Sequence, residues 1–594
     1  MTVATSSRRP LTRRLVLFLV CLLLVAAGCS KGDSAFVTTT APGTTGPGGV
    51  TTTTGGGTGT TIPGGHDPGS SADAIPADAQ VYAGFDLTAI PDLMRLVSAF
   101  PPDAMALAEG IDLGEAAGWV VEGAGQAQDR LTCIREGLGF DPANLPAWLG
   151  AEASLGLFGM EFDAAKGETT DPSVLIAVAV ADQAGAEAFV QTLVGVAQGC
   201  VGADFVPTPY NGVTVYRAEP AGDQPIAIAL ANGYLLVGIG EGMVAGAIDL
   251  ADGVSLAEDP NFVEVLAALP TGRHLTGFMS SDLPQQALEA ALASAAEGGQ
   301  LPLPAGLDPT QALAAMKGIG LAGTLLPEGV RVDILGVAEP NPDLPIPEAT
   351  ASGLPGLLPA DAIGYLGIGA FDVPALWDGI MQMLEQMPVE EGQTSPQDSI
   401  ALVGFMLGID IEQDLVQQLT GEAGVGLLPA THGSLVTGAG VNLGIIAALG
   451  VKDPAAMTGT VDKLATGLGQ AMEMPASPRP YSGGTLYGLS DGTSDIALFG
   501  MAGSNLVITT HESHAAALLQ EGAKLITSPR YAEAIGGLPQ GSMPVLYLDM
   551  AALVGSLSLD AEQAAALAPL QTVAMSVSLS GAVGGATIYA RIDY

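Results

Sequence analysis

The stretch IPADAQVYAGFD, starting at Ile75, returns as LPADAIGYLGIGAFD at Leu358. Four more segments recur in the same order. LGFDPANLPAWLGAEASLGLF from Leu138 answers LGIDIEQDLVQQLTGEAGVGLL from Leu407, and YNGVTVY from Tyr210 answers YSGGTLY from Tyr481. DPNFVEVLAALPTG from Asp259 answers SPRYAEAIGGLPQG from Ser528. GIGLAGTLLPEGVRVDILGVAE from Gly318 answers VAMSVSLSGAVGGATIYARIDY from Val573. Ordered matches over such a length read as one unit used twice, 75–338 and 358–594, joined by a Pro-rich linker at 339–357. A chain built this way is expected to fold as two copies of one unit.

Within each unit, alternating and β-branched runs such as SVLIAVAVA, GVTVYRA and YLLVGIG predict strands, and AGAEAFVQTLVGVAQ and AAMTGTVDKLATGLGQAM predict helices. Strand–turn–strand pieces close each unit, with PEG or GG at the turn. The expected class is α+β: two tandem copies of one unit, largely antiparallel sheets with packed helices. Hydrophobic residues make up 48% and charged residues 14%, so most of the chain has enough apolar surface to fold. The charge is lopsided, 62 acidic against 19 basic residues and a net −43, which repels phosphate backbones and argues against nucleic acid as a partner.

Residues 8–29, RRPLTRRLVLFLVCLLLVAAGC, place four arginines before an apolar run from Leu15 to Ala27, then Gly28 and Cys29. This is the layout of a signal peptide over 1–28. Ala26-Ala27-Gly28-Cys29 resembles the bacterial lipobox, although the third residue before the cysteine is more often Leu. That resemblance implies cleavage before Cys29, acylation of its thiol and an extracytoplasmic chain held at the cell membrane by lipid. Residues 29–74 then read as the lipidated cysteine and a Thr/Gly/Pro tether, whose 45 residues after Cys29 would span roughly 35–40 Å as a flexible chain. Cys133 and Cys200 remain as an even pair, for which an exported compartment favours a disulfide worth about 4 kcal/mol, with two buried thiols as the alternative.

The LPADAxxYxGxxxFD opening, the central Y-x-G-x-x-x-Y strand and the SPxY…LP segment resemble domain-of-unknown-function family 3352. The family comprises bacterial secreted proteins and lipoproteins, and the resemblance covers both units. It implies no activity.

The motifs that suggest chemistry mostly have a structural reading. Asp86, Asp182, Asp282, Asp372, Asp453 and Asp549 each sit where a strand gives way to a helix, where a carboxylate caps free N–H groups. GIGEG after the strand at Tyr234 is not G-x-G-x-x-G, and its counterpart LVITTHESHAAAL holds no glycine, so a nucleotide loop is not expected. His511 and His514 stand three apart with no third ligand evident, so no metal is expected. Glu152 and Glu422 are the repeated acids in otherwise apolar strand-like runs, facing either solvent or a pocket. Tyr216 and Tyr487 read as cross-strand packing residues with the hydroxyl at the rim. These four are the pocket candidates. The expectation is a cell-envelope lipoprotein without catalysis or cofactor, acting as an interaction or support module through a protein partner. The alternative is a carrier for a lipid or other apolar ligand, and a carboxylate-pair hydrolase would require Glu152 or Glu422 to meet a second acid.

Overall fold

The structure, a computed structural model, describes residues 69–100, 145–163, 168–169, 172–201, 204–219, 224–250, 253–286, 288–289, 315–339, 350–369, 372–386, 395–429, 443–471, 473–474, 476–481, 484–490, 495–509, 512–519, 522–557, 559–580 and 582–593. Cys29, Cys133 and the signal peptide lie outside these residues, as does the side chain of Cys200.

The main sheet takes ten strands from the first half: β1 Val81–Asp86, β2 Leu149–Phe158, β3 Ser173–Val180, β4 Val206–Tyr210, β5 Val213–Ala218, β6 Ile226–Ala231, β7 Tyr234–Ile239, β8 Leu275–Ser280, β9 Met316–Leu326 and β10 Gly329–Ala338. The second half adds β11 Gly364–Ile368, β12 Leu419–Pro429, β13 Leu443–Val451, β14 Ala476–Tyr481, β15 Gly484–Ser490, β16 Asp495–Ala502, β17 Asn505–Thr509, β18 Met543–Asp549, β19 Leu570–Ser580 and β20 Val583–Ile592. All of them join one 20-stranded sheet, antiparallel at every pairing. Its first half runs β4-β5-β6-β7-β3-β2-β1-β8-β9-β10. Its second half runs β20-β19-β18-β11-β12-β13-β17-β16-β15-β14. The halves meet at β10 and β20, so the order reads the same from either end. The fold is α+β, as expected.

Two core clusters show why the recurring segments recur. In the first half Tyr82 meets Phe262 at 5.2 Å and Phe262 meets Phe278 at 5.2 Å, both edge to face. In the second, Tyr365 meets Tyr531 at 6.0 Å and Tyr531 meets Tyr547 edge to face at 5.3 Å. One aromatic of each trio lies in the opening segment, one on a helix (Pro260–Ala268 or Pro529–Gly536) and one on the strand that follows. The first of these helices starts on Asp259, which accepts from the Phe262 N–H at 2.8 Å, and carries Pro260 where no N–H is needed. It presses close to the sheet because Gly320 of β9 lies beneath it: a Cβ there would sit 2.8 Å from Val265 Cγ1.

The outer edges are closed to further pairing. β4 reads VPTPY and β14 reads ASPRPY. Each pairs without a register break with the strand inside it, so the alternate prolines Pro207 and Pro209, and Pro478 and Pro480, occupy positions that need no inward N–H. The outward row therefore lacks those donors, which blunts a template for another strand.

Several expectations are corrected. Residues assigned to the tether already belong to the fold: Ser70–Ala74 form a 3₁₀ turn in which Ser71 and Ala72 are fully buried. In the linker, Leu354–Leu357 form a helical turn with Leu354 buried. Ser and Gly read as flexible by composition, yet they also serve helix starts. Asp282 lies within the helical stretch 282–286 instead of preceding it. The sequence match of Gly318 with Val573 is one residue out. The first buried position is Gly318 in β9 and Thr572 in β19, each the third residue of its strand, and each strand carries its register break at its second residue, between Met316 and Gly318 and between Leu570 and Thr572. A slip of one residue would have turned every side chain to the wrong face.

The long helix Pro454–Ala471 crosses the end of helix Pro396–Leu407 at Gly467, where an added Cβ would lie 2.5 Å from the Leu407 carbonyl oxygen and 2.6 Å from its Cα. Backbone cannot swing aside as a side chain can. Gly467→Ala is expected to destabilise by about 2 kcal/mol, the usual scale of overpacking, read in a fold of this size as a fall of roughly 2–4 °C in Tm.

Candidate functional site

Glu152 and Glu422 occupy matching irregularities. In β2 the register breaks between Leu149 and Ala153, and in β12 between Leu419 and Ala423. Extra residues at such a point bend the strand and re-aim a side chain. Glu152 is turned inward and only 2% exposed. Its Oε1 accepts from the Gly69 N–H at 2.6 Å, the Ser71 N–H at 3.2 Å and the Ser71 hydroxyl at 2.7 Å, and Oε2 accepts from the Ser70 hydroxyl. Glu422 Oε1 accepts from the Gly353 N–H at 2.5 Å and the Ser352 hydroxyl at 3.1 Å. Each glutamate thus supplies, from a distant strand, the acceptor that the first free N–H groups of a helical turn require. It latches the entry segment of its half to the sheet.

The two halves then differ. Register places Glu152 opposite Asp86, and both side chains lie on the buried face. Directly opposed residues have Cβ atoms about 5 Å apart. The first half thus brings Glu152 to a second acid, with Arg273 and His274 buried nearby at the start of β8. Both carboxylates nevertheless accept structural hydrogen bonds: Asp86 Oδ1 takes the Thr88 N–H at 2.9 Å and its hydroxyl at 2.5 Å. His274 Nδ1 accepts from the Leu325 N–H at 3.2 Å. General acid–base work needs a group free to reach substrate. The opposed carboxylates are held as a cap and a latch. In the second half the pairing ends at Ile368 and Ala423, and the residue after Ile368 is Gly369, not an acid, so the pair does not recur.

Tyr216 and Tyr487 lie apart from these acids, against the long helices Gln183–Val201 and Pro454–Ala471 respectively. Gln191 Nε2 donates to the Tyr216 hydroxyl at 2.6 Å, and the Tyr487 hydroxyl donates to Asp462 Oδ1 at 2.7 Å. The carboxylate raises the Tyr487 phenol above its ordinary value. The capping role foreseen for the acids holds for Asp182 and Asp453, whose carboxylates accept from Ala184 and Gly185 and from Ala455 and Ala456. It holds too for Asp372 and Asp549, which accept from Ala375 and Ala552 at 3.0 Å each. Asp549 also pairs with Arg530 at 2.6 Å, a contact the sequence did not signal. His514 is fully buried, its Nδ1 3.4 Å from the Thr509 hydroxyl, and His511 lies outside the described residues. Among the described residues no group of three or more His, Cys, Asp or Glu is placed to hold a metal, and no helix is long and apolar enough to cross a membrane. A cavity of about 200 Å³ is lined by Arg530, Glu533, Gln571, Thr572, Arg591 and Asp593, and a larger, mainly polar one of about 490 Å³ has Tyr487, Asp462, Gln470 and Met474 in its wall.

Fold and site together define an α+β protein with one long antiparallel sheet, whose repeated acids serve its architecture. The chain belongs to a family described as protein of unknown function (DUF3352), which matches residues 120–582. No curated protein matches it. Among solved structures, crystal form IV of TP0453 is similar with a TM-score of 0.23 and 11% identity, covering 46% of this chain and 80% of that one. Crystal form I of TP0453 gives 0.23 and 12%, with 46% and 79% covered.

Proposed function

We propose that this chain is a membrane-anchored, extracytoplasmic lipoprotein made of two copies of one unit, acting as a non-catalytic interaction or envelope-support module. The observation that carries the reading is the use of the repeated polar residues. Glu152 and Glu422 latch entry turns, Tyr216 and Tyr487 fasten long helices, and the strand-end aspartates cap. Residues kept in both halves therefore serve shape, and shape is what a support module needs. The order of the sheet supports the duplication, and the charge of −43 supports an exposed, solvated surface. The mainly polar linings of both cavities, about 200 and 490 Å³, favour this reading over a carrier of apolar ligands.

The test begins with cells expressing the full chain in the presence of an alkyne-bearing palmitate analogue. Labelled protein in the membrane fraction is expected, with Cys29→Ser unlabelled and released. An unlabelled wild-type chain would remove the anchor from the proposal. Lipid extraction of the detergent-purified protein is expected to yield no stoichiometric lipid beyond the anchor, and one bound apolar molecule per chain would put the carrier reading in its place.

A further inference from the structure

The seam between the halves is centred on one pair of residues. β10 and β20 have ten residues each, and Asp333 and Thr587 are the fifth in their strands. The register pairs Asp333 with Thr587, Gly329 with Arg591 and Val337 with Val583. Residues in the same place on the two strands therefore face each other only at this centre. Asp333 and Thr587 lie on the local two-fold axis relating the halves. Both are buried, 2% and 6% exposed. The Thr587 hydroxyl donates to Asp333 Oδ1 at 2.6 Å, and Arg331 Nε donates to Oδ2 at 3.0 Å.

A seam with this symmetry has an inherent hazard. If β10 can pair with its counterpart β20, it can pair by the same geometry with the β10 of a second chain, since the backbone pattern is shared. Like-with-like pairing would then join molecules and leave β20 edges exposed. The axis is where the two pairings differ most. A β10·β10 pair would set Asp333 against Asp333 in a buried position, with no hydroxyl donor for either Oδ1. Directly opposed like charges destabilise a strand pair, and a buried acceptor stripped of its donor adds to the cost. Arg331 Nε serves Oδ2 of its own Asp333, not the Oδ1 that would lose its donor.

We propose that Asp333 is a specificity determinant that makes the first half pair with the second half of its own fold and rejects a second copy of itself. The partner excluded is another copy of this chain, and the residue chosen is one acid facing one hydroxyl on the axis. This rests on the reading of the halves as two copies. A single polar residue on a symmetry axis setting which strands associate parallels the use of one buried polar residue to fix register in coiled coils.

The experiment uses the full chain in detergent, with light scattering for mass and a cysteine pair, Val332→Cys with Ile588→Cys, as a reporter of the closed seam. Those positions face each other in the present register. With the natural axis, one chain per particle and an intrachain cross-link are expected. Asp333→Thr is expected to produce a dimer that grows with concentration. Thr587→Asp, which opposes two acids, is expected to lower the cross-link at least tenfold. The exchanged double variant Asp333→Thr/Thr587→Asp is expected to restore both the single chain and the cross-link. A single-chain Asp333→Thr protein, or a Thr587→Asp protein that cross-links like the natural one, would overturn the proposal. Absence of the cross-link with the natural axis would instead overturn the symmetry, and with it the two-copy reading beneath.

Discussion

Glu152→Ala is expected to release the entry turn of the first half and cost about 3 kcal/mol, roughly twice the effect of Glu422→Ala, from the usual worth of hydrogen bonds to charged groups. The difference follows from burial and from the number of donors. Glu152 holds two backbone N–H groups and two hydroxyls at a buried site, whereas Glu422 holds one N–H and one hydroxyl and is half-buried. Removing Glu152 strands the Ser71 N–H in particular, since Ser71 is fully buried and has no water to turn to. One term opposes this: Asp86 faces Glu152, so deleting one charge relieves repulsion. The four hydrogen bonds lost outweigh that relief and decide the sign. Hydrogen exchange at Ser71–Ile75 is the direct reading. Protection there is expected to fall in Glu152→Ala, with β8 and β9 unaffected, and Glu152→Gln is expected to retain about half the effect because one oxygen still accepts. Equal losses for Glu152→Ala and Glu422→Ala would show that the burial argument is wrong.

How much of this could be read from the sequence depended on how far each partner lies along the chain. The caps at Asp182 and Asp453 were legible because donor and acceptor are two or three residues apart. The strands were legible from their alternation, and the aromatic trios from the recurring segments that carry Tyr82 and Tyr365. The role of Glu152 was not, because Gly69 and Ser71 lie more than eighty residues away and are composed like a tether. The same ambiguity of Ser and Gly moved the boundary of the fold from Ile75 back to Ser70. The register of the seam was missed for a different reason. Letters in β9 and β19 match almost as well one residue apart, and only the first buried position together with the register breaks selects one alignment.

The tyrosines of those trios imply a steep loss of stability in alkali. Tyr82 is pushed well above the ordinary phenol value chiefly by burial, with the Ser71 hydroxyl pulling back and Glu152 adding to the rise. Tyr365 is raised by burial and then by Tyr531, and Tyr547 by burial and then by the charge of Asp549. The sign follows from which state holds the proton. An unfolded phenol ionises near pH 10, whereas these three stay neutral in the fold, so above about pH 10 the folded state binds more protons. Their contribution is complete below that pH and is lost as the pH climbs toward the folded values. Each phenol gives a slope of about 1.4 kcal/mol per pH unit, so three give about 4. Against a stability of about 5–15 kcal/mol, this suffices to unfold the chain within one to a few units above about pH 10. Phenolate absorbance and circular dichroism followed together are expected to show two stages for the 11 tyrosines. Exposed phenols ionise first with the fold intact, then the buried ones, Tyr82, Tyr365, Tyr531 and Tyr547 among them, ionise in one cooperative step as the dichroism collapses. Since growing negative charge also disfavours a chain already at −43, Tyr365→Phe/Tyr547→Phe separates the two causes. It is expected to reduce the slope by about two-thirds while leaving the general repulsion unchanged. A single smooth titration near pH 10 with the dichroism preserved would mean that the three rings are not sealed in the core.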